Sequence, residues 1–214
     1  MENKVIRILI ADDHCVVRSG VIKSIASFFP KAEFGEAWNA AIVFRLINEA
    51  KWNLVILDIN MPGRNGLEIL KEIKEHHPDI PVIIFSMYPE DQFAVRAIKS
   101  GASAYITKDI SSKKLAEAIK KILMGERYLT PSITELITNE LMGDHRKPVH
   151  EVLSDREYQV FLLIAKGKNV SGIALDLSLS VKTISVYRAN ILKKMNLRNN
   201  SEITYYAFKH NLVV

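Results

Sequence analysis

Five short apolar runs, separated by segments of helical period, are the feature that most constrains the fold of this chain. They occupy residues 5–11, 32–36, 54–58, 81–86 and 104–107. Strands that are apolar along most of their length are typical of sheets covered on both faces, and strands that alternate with helices indicate a parallel sheet. The sequence therefore predicts an α/β domain in which five parallel strands are doubly wound by helices.

A last amphipathic helix and a glycine mark the predicted end of this domain. The helix is predicted over residues 112–124, and Gly125 suits the position that follows a helix, because glycine tolerates a left-handed conformation. We therefore assign residues 1–125 to the first domain.

Residues 126–150 are predicted to link two domains. Pro131 starts a short helix, because proline is favoured at the first helical position and apolar residues follow it at helical spacing. Residues 143–148 combine glycine, proline and charge, so they predict a flexible tether. The two histidines of this segment, His145 and His150, are interpreted as exposed linker residues.

Residues 151–214 are predicted to form a small all-α domain of four helices. Ser154 and Glu157 have the spacing of a capping box at the start of its first helix. Two further helices, 170–177 and 181–195, are separated by only three residues, an arrangement typical of a helix-turn-helix.

The positive charge of the chain is concentrated at its C-terminal end. The 214 residues include 29 Lys and Arg against 24 Asp and Glu, which gives a net charge of +5. Residues 1–176 are neutral in sum, whereas residues 177–214 contain six basic side chains and one acidic side chain. This asymmetry indicates a polyanionic partner or, in the simpler interpretation, a solvated helix face.

The composition excludes several classes of protein. With 48% hydrophobic and 25% charged residues, the chain matches an average globular protein rather than a disordered or fibrous one. No apolar run approaches the roughly 18 residues that a membrane span requires, and the first residues do not resemble a signal peptide. We therefore expect a cytoplasmic protein without membrane contact. The single cysteine, Cys15, is predicted to be a small buried side chain.

Polar side chains recur at the predicted carboxyl ends of the strands: Asp12 and Asp13, then Asp58, Ser86 and Lys108. Ligands of open parallel sheets bind at this edge. Three carboxylates in one crevice repel each other unless a cation joins them, and carboxylate oxygens suit Mg²⁺, while a hydroxyl and an ammonium suit a phosphoryl group. Each residue alone could be a turn former or a helix cap, but the recurrence at four strand ends favours a binding site.

These residues belong to a set of motifs that resembles the receiver domain of two-component response regulators. The motifs are Asp12-Asp13-His14, Leu57-Asp58-Ile59-Asn60-Met61-Pro62-Gly63 with Gly66, Phe85-Ser86, and Gly101-Ala102 with Tyr105 and Lys108. The resemblance covers residues 5–125 and implies the flavodoxin-like form of the doubly wound sheet.

The same resemblance implies a role for each site residue. Asp58 would be the phosphoacceptor. The residues implied to hold Mg²⁺ are Asp12, Asp13, Asp58 and, through its backbone carbonyl, Asn60. The residues implied to contact the phosphoryl group or to transmit its signal are Ser86, Lys108 and the switch aromatic Tyr105.

The C-terminal motifs resemble a LuxR-type helix-turn-helix domain of NarL/FixJ-like regulators. They are Leu153-Ser154, Arg156-Glu157, Leu179-Ser180-Val181-Lys182-Thr183-Ile184 and Leu192-Lys193-Lys194. The side chains implied to face base edges in the major groove are Ser185, Val186 and Ala189. Those implied to contact DNA phosphates are Lys182, Thr183, Arg188, Lys193 and Lys194. Because the base-facing side chains are small, DNA shape and dimer spacing are expected to contribute to specificity.

Together the two resemblances imply a DNA-binding response regulator rather than an enzyme, with at most slow self-dephosphorylation. The expected partners are a sensor histidine kinase and double-stranded promoter DNA, which a homodimer would bind. Tyr205, Tyr206 and Phe208 on the last helix either form a dimer interface or close the core of the small domain.

Two rival functions stay open from the sequence. One is a Mg²⁺-dependent phosphatase or phosphotransferase that uses Asp58 on small substrates. The other is a phosphorylation-independent transcription factor whose receiver domain only docks other proteins.

Overall fold

The computed structural model describes residues 5–142 and 148–213. The chain forms two compact units, Met1–Leu141 and Met142–Val214. The first is a parallel sheet flanked by helices and the second is all-helical, so the predicted fold class is confirmed. Most of the predicted tether, with His145, lies outside the described residues.

A five-stranded parallel sheet forms the centre of the first unit. Its strands are β1 (Arg7–Ala11), β2 (Glu33–Ala37), β3 (Leu54–Leu57), β4 (Val82–Ser86) and β5 (Ala104–Thr107). They lie in the order β2-β1-β3-β4-β5, and each neighbouring pair is parallel. The strand order reverses at β1 and β3, so a crevice opens at their carboxyl ends, where ligands bind in folds of this type.

Over residues 5–142, six helices accompany this sheet. They are α1 (Cys15–Ala26), α2 (Ala40–Glu49), α3 (Gly66–His76), α4 (Glu90–Lys99), α5 (Ser112–Leu123) and α6 (Pro131–Met142). The side chains of Asn39, Asn65 and Ser111 accept backbone N–H groups at the starts of α2, α3 and α5, as helix-capping residues do. Gly125 follows α5 in the left-handed conformation, with a φ of 87°.

Four of the strands are largely apolar and are buried on both faces by helices, whereas the edge strand β2 carries two glutamates and is partly exposed. On one face, strand residues pack with α1 and α5 in a single cluster that includes Ile8, Ile10, Ile56, Ile83, Ile106, Val21, Ile25, Leu115, Ile119 and Ile122. The alternate strand residues are also fully buried, among them Leu9, Val55, Leu57, Val82, Ile84 and Tyr105.

Helix α6, which the sequence assigned to the linker, packs within the first unit. Ile133 is fully buried, and the Thr130 hydroxyl donates a hydrogen bond to Glu90 Oε2 at 2.9 Å. Lys99 forms an ion pair with Glu140. Because Glu90 and Lys99 both belong to α4, α6 lies beside α4, and the compact unit extends beyond the predicted end of the first domain.

The second unit consists of a short 3₁₀ helix (Val149–Val152) and four α-helices. The latter are α7 (Asp155–Ala165), α8 (Val170–Asp176), α9 (Val181–Met195) and α10 (Asn200–Lys209). The predicted capping box is present: Ser154 Oγ accepts the Glu157 N–H at 3.3 Å, and Glu157 Oε2 accepts the Ser154 N–H at 2.9 Å. Ile173, Ile184 and Ile191 are fully buried between the helices.

Among the described residues, no single helix has the length and apolarity of a membrane span. Helices α8 and α9 pass that test only when taken together, and they meet at an angle of 113°.

The prediction of a buried Cys15 was wrong, because Cys15 is exposed at the first position of α1.

Candidate functional site

The carboxyl ends of four neighbouring strands bring together most of the polar residues singled out in the sequence. Asp12 follows β1, Asp58 follows β3, Ser86 ends β4 and Lys108 follows β5. Lys108 Nζ lies 2.6 Å from Asp12 Oδ2 and 3.0 Å from Asp58 Oδ2, so one ammonium joins two carboxylates. All three side chains are at least nine-tenths buried.

Asp58 is the most perturbed carboxylate of this cluster. Burial raises its pKa from the ordinary value to about 6; the Lys108 charge opposes the rise and the Asp12 charge adds to it. The backbone N–H of Asn60 donates a hydrogen bond to the Asp58 carboxylate. The predicted role of the Asn60 carbonyl as a metal ligand stays a prediction. A carboxyl group with this pKa is ionised at neutral pH yet poorly stabilised, as reactive groups often are.

Lys108 remains charged in this crevice. Burial lowers the pKa of its ammonium, but Asp58 and Asp12 outweigh burial, and the net direction of the pKa shift is upward. The Lys108 side chain is therefore a fixed positive charge beside Asp58.

Asp13 and His14 complete the acidic edge. Asp13 is half-buried, and the exposed His14 ring places Nδ1 2.7 Å from Asp13 Oδ1 and 3.4 Å from Asp12 Oδ1. Ligand atoms of Asp12, Asp13 and His14 all lie within 4.8 Å of one another. Sequence reasoning gave His14 no role, although it stands in the quoted Asp12-Asp13-His14 motif.

The donor atoms of this cluster fit a hard divalent cation. Mg²⁺ prefers carboxylate oxygens. Asp12 and Asp13 bring theirs within 4.8 Å of each other, whereas Asp58 is outside this group and meets Asp12 through Lys108. Asp13 Oδ1 is buried and lacks a hydrogen bond of normal geometry among the described residues, although His14 Nδ1 lies 2.7 Å away. A cation at the Asp12–Asp13 edge would give this oxygen an ionic partner.

The glycine at position 66, eight residues after Asp58, is required by a close backbone contact. A Cβ atom at position 66 would lie 2.0 Å from the Asp58 carbonyl oxygen and 2.8 Å from Ile59 Cα. The start of α3 therefore packs directly on the backbone of Asp58, and any side chain at this position would displace the site.

Ser86 and Tyr105 are linked through the loop that follows β4. Ser86 Oγ accepts the Tyr88 N–H at 3.1 Å, and the Tyr105 hydroxyl donates to the Tyr88 carbonyl at 2.8 Å. The Tyr105 side chain is fully buried, and burial raises the pKa of its phenol. The ring therefore already lies inward in this structure, so its movement on phosphorylation stays a prediction.

Helix α9 presents the predicted DNA contacts on one side. Its buried residues are Ile184, Ile191 and Met195. The predicted contact residues lie away from that buried stripe: Lys182, Ser185, Val186, Ala189, Lys193 and Lys194 are exposed, and Thr183 and Arg188 are half-buried. A helix with one apolar and one exposed basic side is suited to lie on a polyanion.

Two of these basic side chains also anchor α9 to other helices. Lys194 Nζ lies 2.6 Å from Glu157 Oε2 at the start of α7, and Arg188 Nε donates to Asn200 Oδ1 of α10 at 2.6 Å. Burial opposes ionisation of Glu157, but Lys194 and the Ser154 backbone outweigh it and lower the Glu157 pKa. Sequence reasoning gave Lys194 and Arg188 only a phosphate contact.

Arg156 holds the helix-turn-helix from inside. It is 2% exposed and donates to Gln159 Oε1 at 2.6 Å and to the Leu177 carbonyl at 3.3 Å. Because Leu177 directly follows α8, the guanidinium fixes the position of the turn that precedes α9.

The interpretation of His150 as an exposed linker residue was wrong. Its ring is half-buried, with Nδ1 3.1 Å from the Tyr206 hydroxyl, and it stacks on Tyr158 at a centroid distance of 5.8 Å. Tyr206 therefore contributes to the packing of the second unit, whereas Tyr205 and Phe208 are 69% and 67% exposed.

Two family models match separate parts of the chain. The family model described as the response regulator receiver domain matches residues 8–120, and that of the luxR family of bacterial regulatory proteins matches residues 151–207. The response regulator GacA of Pseudomonas aeruginosa is 32% identical over 209 residues, which cover 97% of this chain and 98% of GacA. The response regulator VraR of Staphylococcus aureus is 31% identical over 208 residues, 97% of this chain and 99% of VraR.

Solved structures are similar as well. A LuxR-family two-component response regulator from Aurantimonas is 33% identical with a TM-score of 0.59, over 64% of this chain and 99% of that one. RcsB of Salmonella typhimurium is 24% identical with a TM-score of 0.67, over 95% of this chain and 96% of that one, which shows the shared fold. The chain therefore belongs to the two-component response regulators and joins a receiver domain to a LuxR-type DNA-binding domain.

Proposed function

We propose that Asp58 accepts a phosphoryl group from a sensor histidine kinase and that this modification controls the binding of the second unit to promoter DNA. One observation carries the proposal: a nearly buried carboxylate, with its pKa raised to about 6, lies 3.0 Å from a fixed ammonium at the strand-order reversal of the sheet. Buried perturbed carboxylates of this kind are typical of reactive sites.

The chemistry requires little covalent work from the protein. An oxygen of the ionised Asp58 attacks phosphorus, the bond between phosphorus and the donor's nitrogen or oxygen breaks, and the donor leaves with that electron pair. Lys108 balances the charge of the incoming phosphoryl oxygens, and Ser86 donates a hydrogen bond to one of them. Mg²⁺, held by Asp12, Asp13, Asp58 and the Asn60 carbonyl, would neutralise charge on donor and acceptor.

The new charge supplies the signal. An acyl phosphate adds about one to two negative charges and strong acceptor oxygens beside Ser86. The Ser86 hydroxyl can donate to the phosphoryl group while its Oγ still accepts the Tyr88 N–H, so a shift of Ser86 towards the phosphoryl group also shifts Tyr88. Because Tyr88 also holds the Tyr105 hydroxyl, the loop after β4 and the Tyr105 ring respond together.

The second unit is the proposed reader of DNA. Lys182, Lys193 and Lys194 on the exposed side of α9 would contact phosphates, while Ser185, Val186 and Ala189 would face the bases. A homodimer is supported by the exposed Tyr205 and Phe208 on α10, and RcsB, a structural relative, is described as dimers bound to DNA. A promoter-DNA partner supports a cytoplasmic location. Phosphate contacts predict an affinity that falls steeply with salt.

We propose no enzymatic turnover beyond self-dephosphorylation, and the two rival functions make different predictions. A phosphatase would hydrolyse small phosphate esters faster than it loses its own phosphoryl group. A phosphorylation-independent transcription factor would bind DNA equally with and without a phosphodonor.

A gel-shift assay on genomic fragments tests the proposal. The full chain and its Asp58→Asn variant are each incubated with and without acetyl phosphate and Mg²⁺. We expect acetyl phosphate to change the affinity of the parent by about tenfold, a coupling within the usual range for such switches, and to leave the variant unchanged. Equal affinity of the parent under both conditions would contradict the proposal.

A further inference from the structure

A second buried cation lies behind the acidic edge and has no part in the mechanism above. Arg18, on the first turns of α1, is 8% exposed. Its NH1 group donates to the Asp12 carbonyl at 2.9 Å and to the Asp13 carbonyl at 3.4 Å. Its Nε donates to Glu36 Oε2, in β2, at 2.8 Å.

One rigid group, the Arg18 guanidinium, therefore holds the backbone carbonyls of both Asp12 and Asp13. The guanidinium is planar, so the hydrogen bond to Glu36 fixes the direction in which NH1 points at the Asp12 and Asp13 carbonyls. Its outer face lies near the Trp38 ring, with Cζ 6.0 Å from the ring centroid. A rotation of the Asp12–Asp13 peptide would break these contacts, so the directions of both carboxylates are restrained.

The charge arrangement is as informative as the geometry. Arg18 pairs with Glu36 and contacts Asp12 and Asp13 through their backbone carbonyls rather than their carboxylates. The Arg18 guanidinium therefore leaves the carboxylate oxygens of Asp12 and Asp13 to their contacts with Lys108, His14 and a bound cation, and its own charge is compensated by Glu36.

We propose that Arg18 is a positioning residue for the divalent-cation site, which it orients through the backbone carbonyls of Asp12 and Asp13. The inference rests on the proposed function, because it assumes that a cation binds at this edge. Residues in the outer shell of metal sites commonly determine affinity in this way.

The experiment measures ion binding directly on the full-length protein. Mn²⁺ serves as the probe because it accepts the same oxygen ligands as Mg²⁺, and its free form is counted by electron paramagnetic resonance. Arg18→Lys retains the charge but loses the fork of donors, and Arg18→Gln loses the charge as well. The matched control is Arg7→Gln, because Arg7 Nε also pairs with a glutamate of β2, Glu33, at 2.7 Å, but at the opposite end of that strand from Glu36.

We expect both Arg18 variants to raise the Kd for Mn²⁺ by about tenfold, the lower end of the usual outer-shell effect, and the Arg7 variant to leave it unchanged. Labelling by acetyl phosphate should slow in the Arg18 variants at low Mg²⁺ and return towards the parent rate at high Mg²⁺. A merely structural defect would not be relieved by added ion.

An unchanged Kd in a folded Arg18 variant would overturn the inference. If both Arg18 variants fail to fold, Glu36→Gln decides, because it removes the second anchor of the guanidinium: a raised Kd supports the inference and an unchanged Kd overturns it. If the parent itself binds no ion, the proposed cation site fails and the inference fails with it. A parent that binds ion and is labelled, with variants equal to it, refutes only the role of Arg18.

Discussion

Both units of the molecule bury a carboxylate beside a lysine, but the two carboxylates respond in opposite directions. In the first unit, burial and the nearby Asp12 raise the pKa of Asp58 to about 6, although Lys108 opposes the rise. In the second unit, Lys194 and the Ser154 backbone outweigh burial and lower the pKa of Glu157. A carboxylate beside a lysine is thus destabilised in its ionised form at Asp58 and stabilised in its ionised form at Glu157.

The difference lies in how many partners each charge has. Lys108 is shared between two carboxylates, those of Asp12 and Asp58. Among the described residues, Lys194 instead pairs with Glu157 alone, and the Glu157 carboxylate also accepts the Ser154 backbone N–H. Charges that are incompletely compensated are typical of functional sites, while fully paired ones belong to the architecture. Asp58 therefore marks the reactive end of the first unit, and Glu157 holds together the second.

The largest effect is expected where the backbone is packed against the reactive carboxylate. Gly66→Ala would place a Cβ atom 2.0 Å from the Asp58 carbonyl oxygen, so the first unit should lose about 3 kcal/mol or more of stability. Both tryptophans, Trp38 and Trp52, lie in the first unit, so tryptophan fluorescence during urea unfolding follows that unit selectively.

Gly20→Ala is the matched control for this prediction. Gly20 lies inside α1 and a Cβ atom there meets nothing within 4 Å, so alanine should stabilise the first unit by up to about 1 kcal/mol. Equal effects of the two substitutions would contradict the close packing of Gly66 on Asp58.

The second-largest effect on stability is expected from the Asp58 carboxylate, whose ionised form is disfavoured by burial. Because the folded pKa of Asp58 is raised, the folded state keeps a proton that the unfolded chain has already lost, and stability falls as pH rises from about 4 to about 6. Asp58→Asn removes this cost, so it should stabilise the first unit by up to about 3 kcal/mol at about pH 8 and by little at about pH 4. Urea unfolding in buffer with a chelator measures the difference. If Asp58→Asn destabilised the first unit at about pH 8, the raised pKa of Asp58 and its contrast with Glu157 would be contradicted.

The effect of the Glu157 carboxylate on stability should change with pH in the opposite direction. The folded pKa of Glu157 is lowered, so its contribution to stability is present above the unfolded pKa and is lost as pH falls through the folded pKa. Glu157→Gln should therefore destabilise the second unit by about 1 to 2 kcal/mol near neutral pH, with a smaller effect in acid. Thermal melts followed by far-ultraviolet circular dichroism measure it, and a neutral effect at all pH values would contradict the assignment.

The smallest effect separates the two neighbouring lysines of α9. Lys193→Ala and Lys194→Ala should each weaken binding to all DNA sequences alike and reduce the slope of log K against log salt by about one. Only Lys194→Ala should also destabilise the second unit, by less than about 1 kcal/mol because its ion pair is partly exposed. A loss restricted to particular sequences would contradict phosphate contact.

The sheet and its polar edge were predictable from the sequence because their physics is local and periodic. Fully apolar runs require burial on both faces, and parallel strands bring their carboxyl ends to one edge. Asp12, Asp58 and Lys108 each follow one of these strands, so their proximity is predictable from the sequence. The capping box of Ser154 and Glu157 was equally readable, because it depends on residues three apart.

Contacts between distant segments were not predictable. The bond of Arg18 to Glu36 depends on the pairing of β1 with β2, and the pair of Lys194 with Glu157 depends on how α9 crosses α7. His150 has no local signal either, because Tyr206 lies 56 residues away. In each case the partner is set by packing, which the linear pattern does not encode.

Intact-mass analysis after incubation with acetyl phosphate and Mg²⁺ tests the central claim most directly. The account predicts that the parent gains the mass of one phosphoryl group, that peptide mapping places it on Asp58, and that Asp58→Asn gains nothing while Ser86→Ala is still labelled. Equal labelling of the parent and of Asp58→Asn would contradict the claim that this carboxylate is the acceptor.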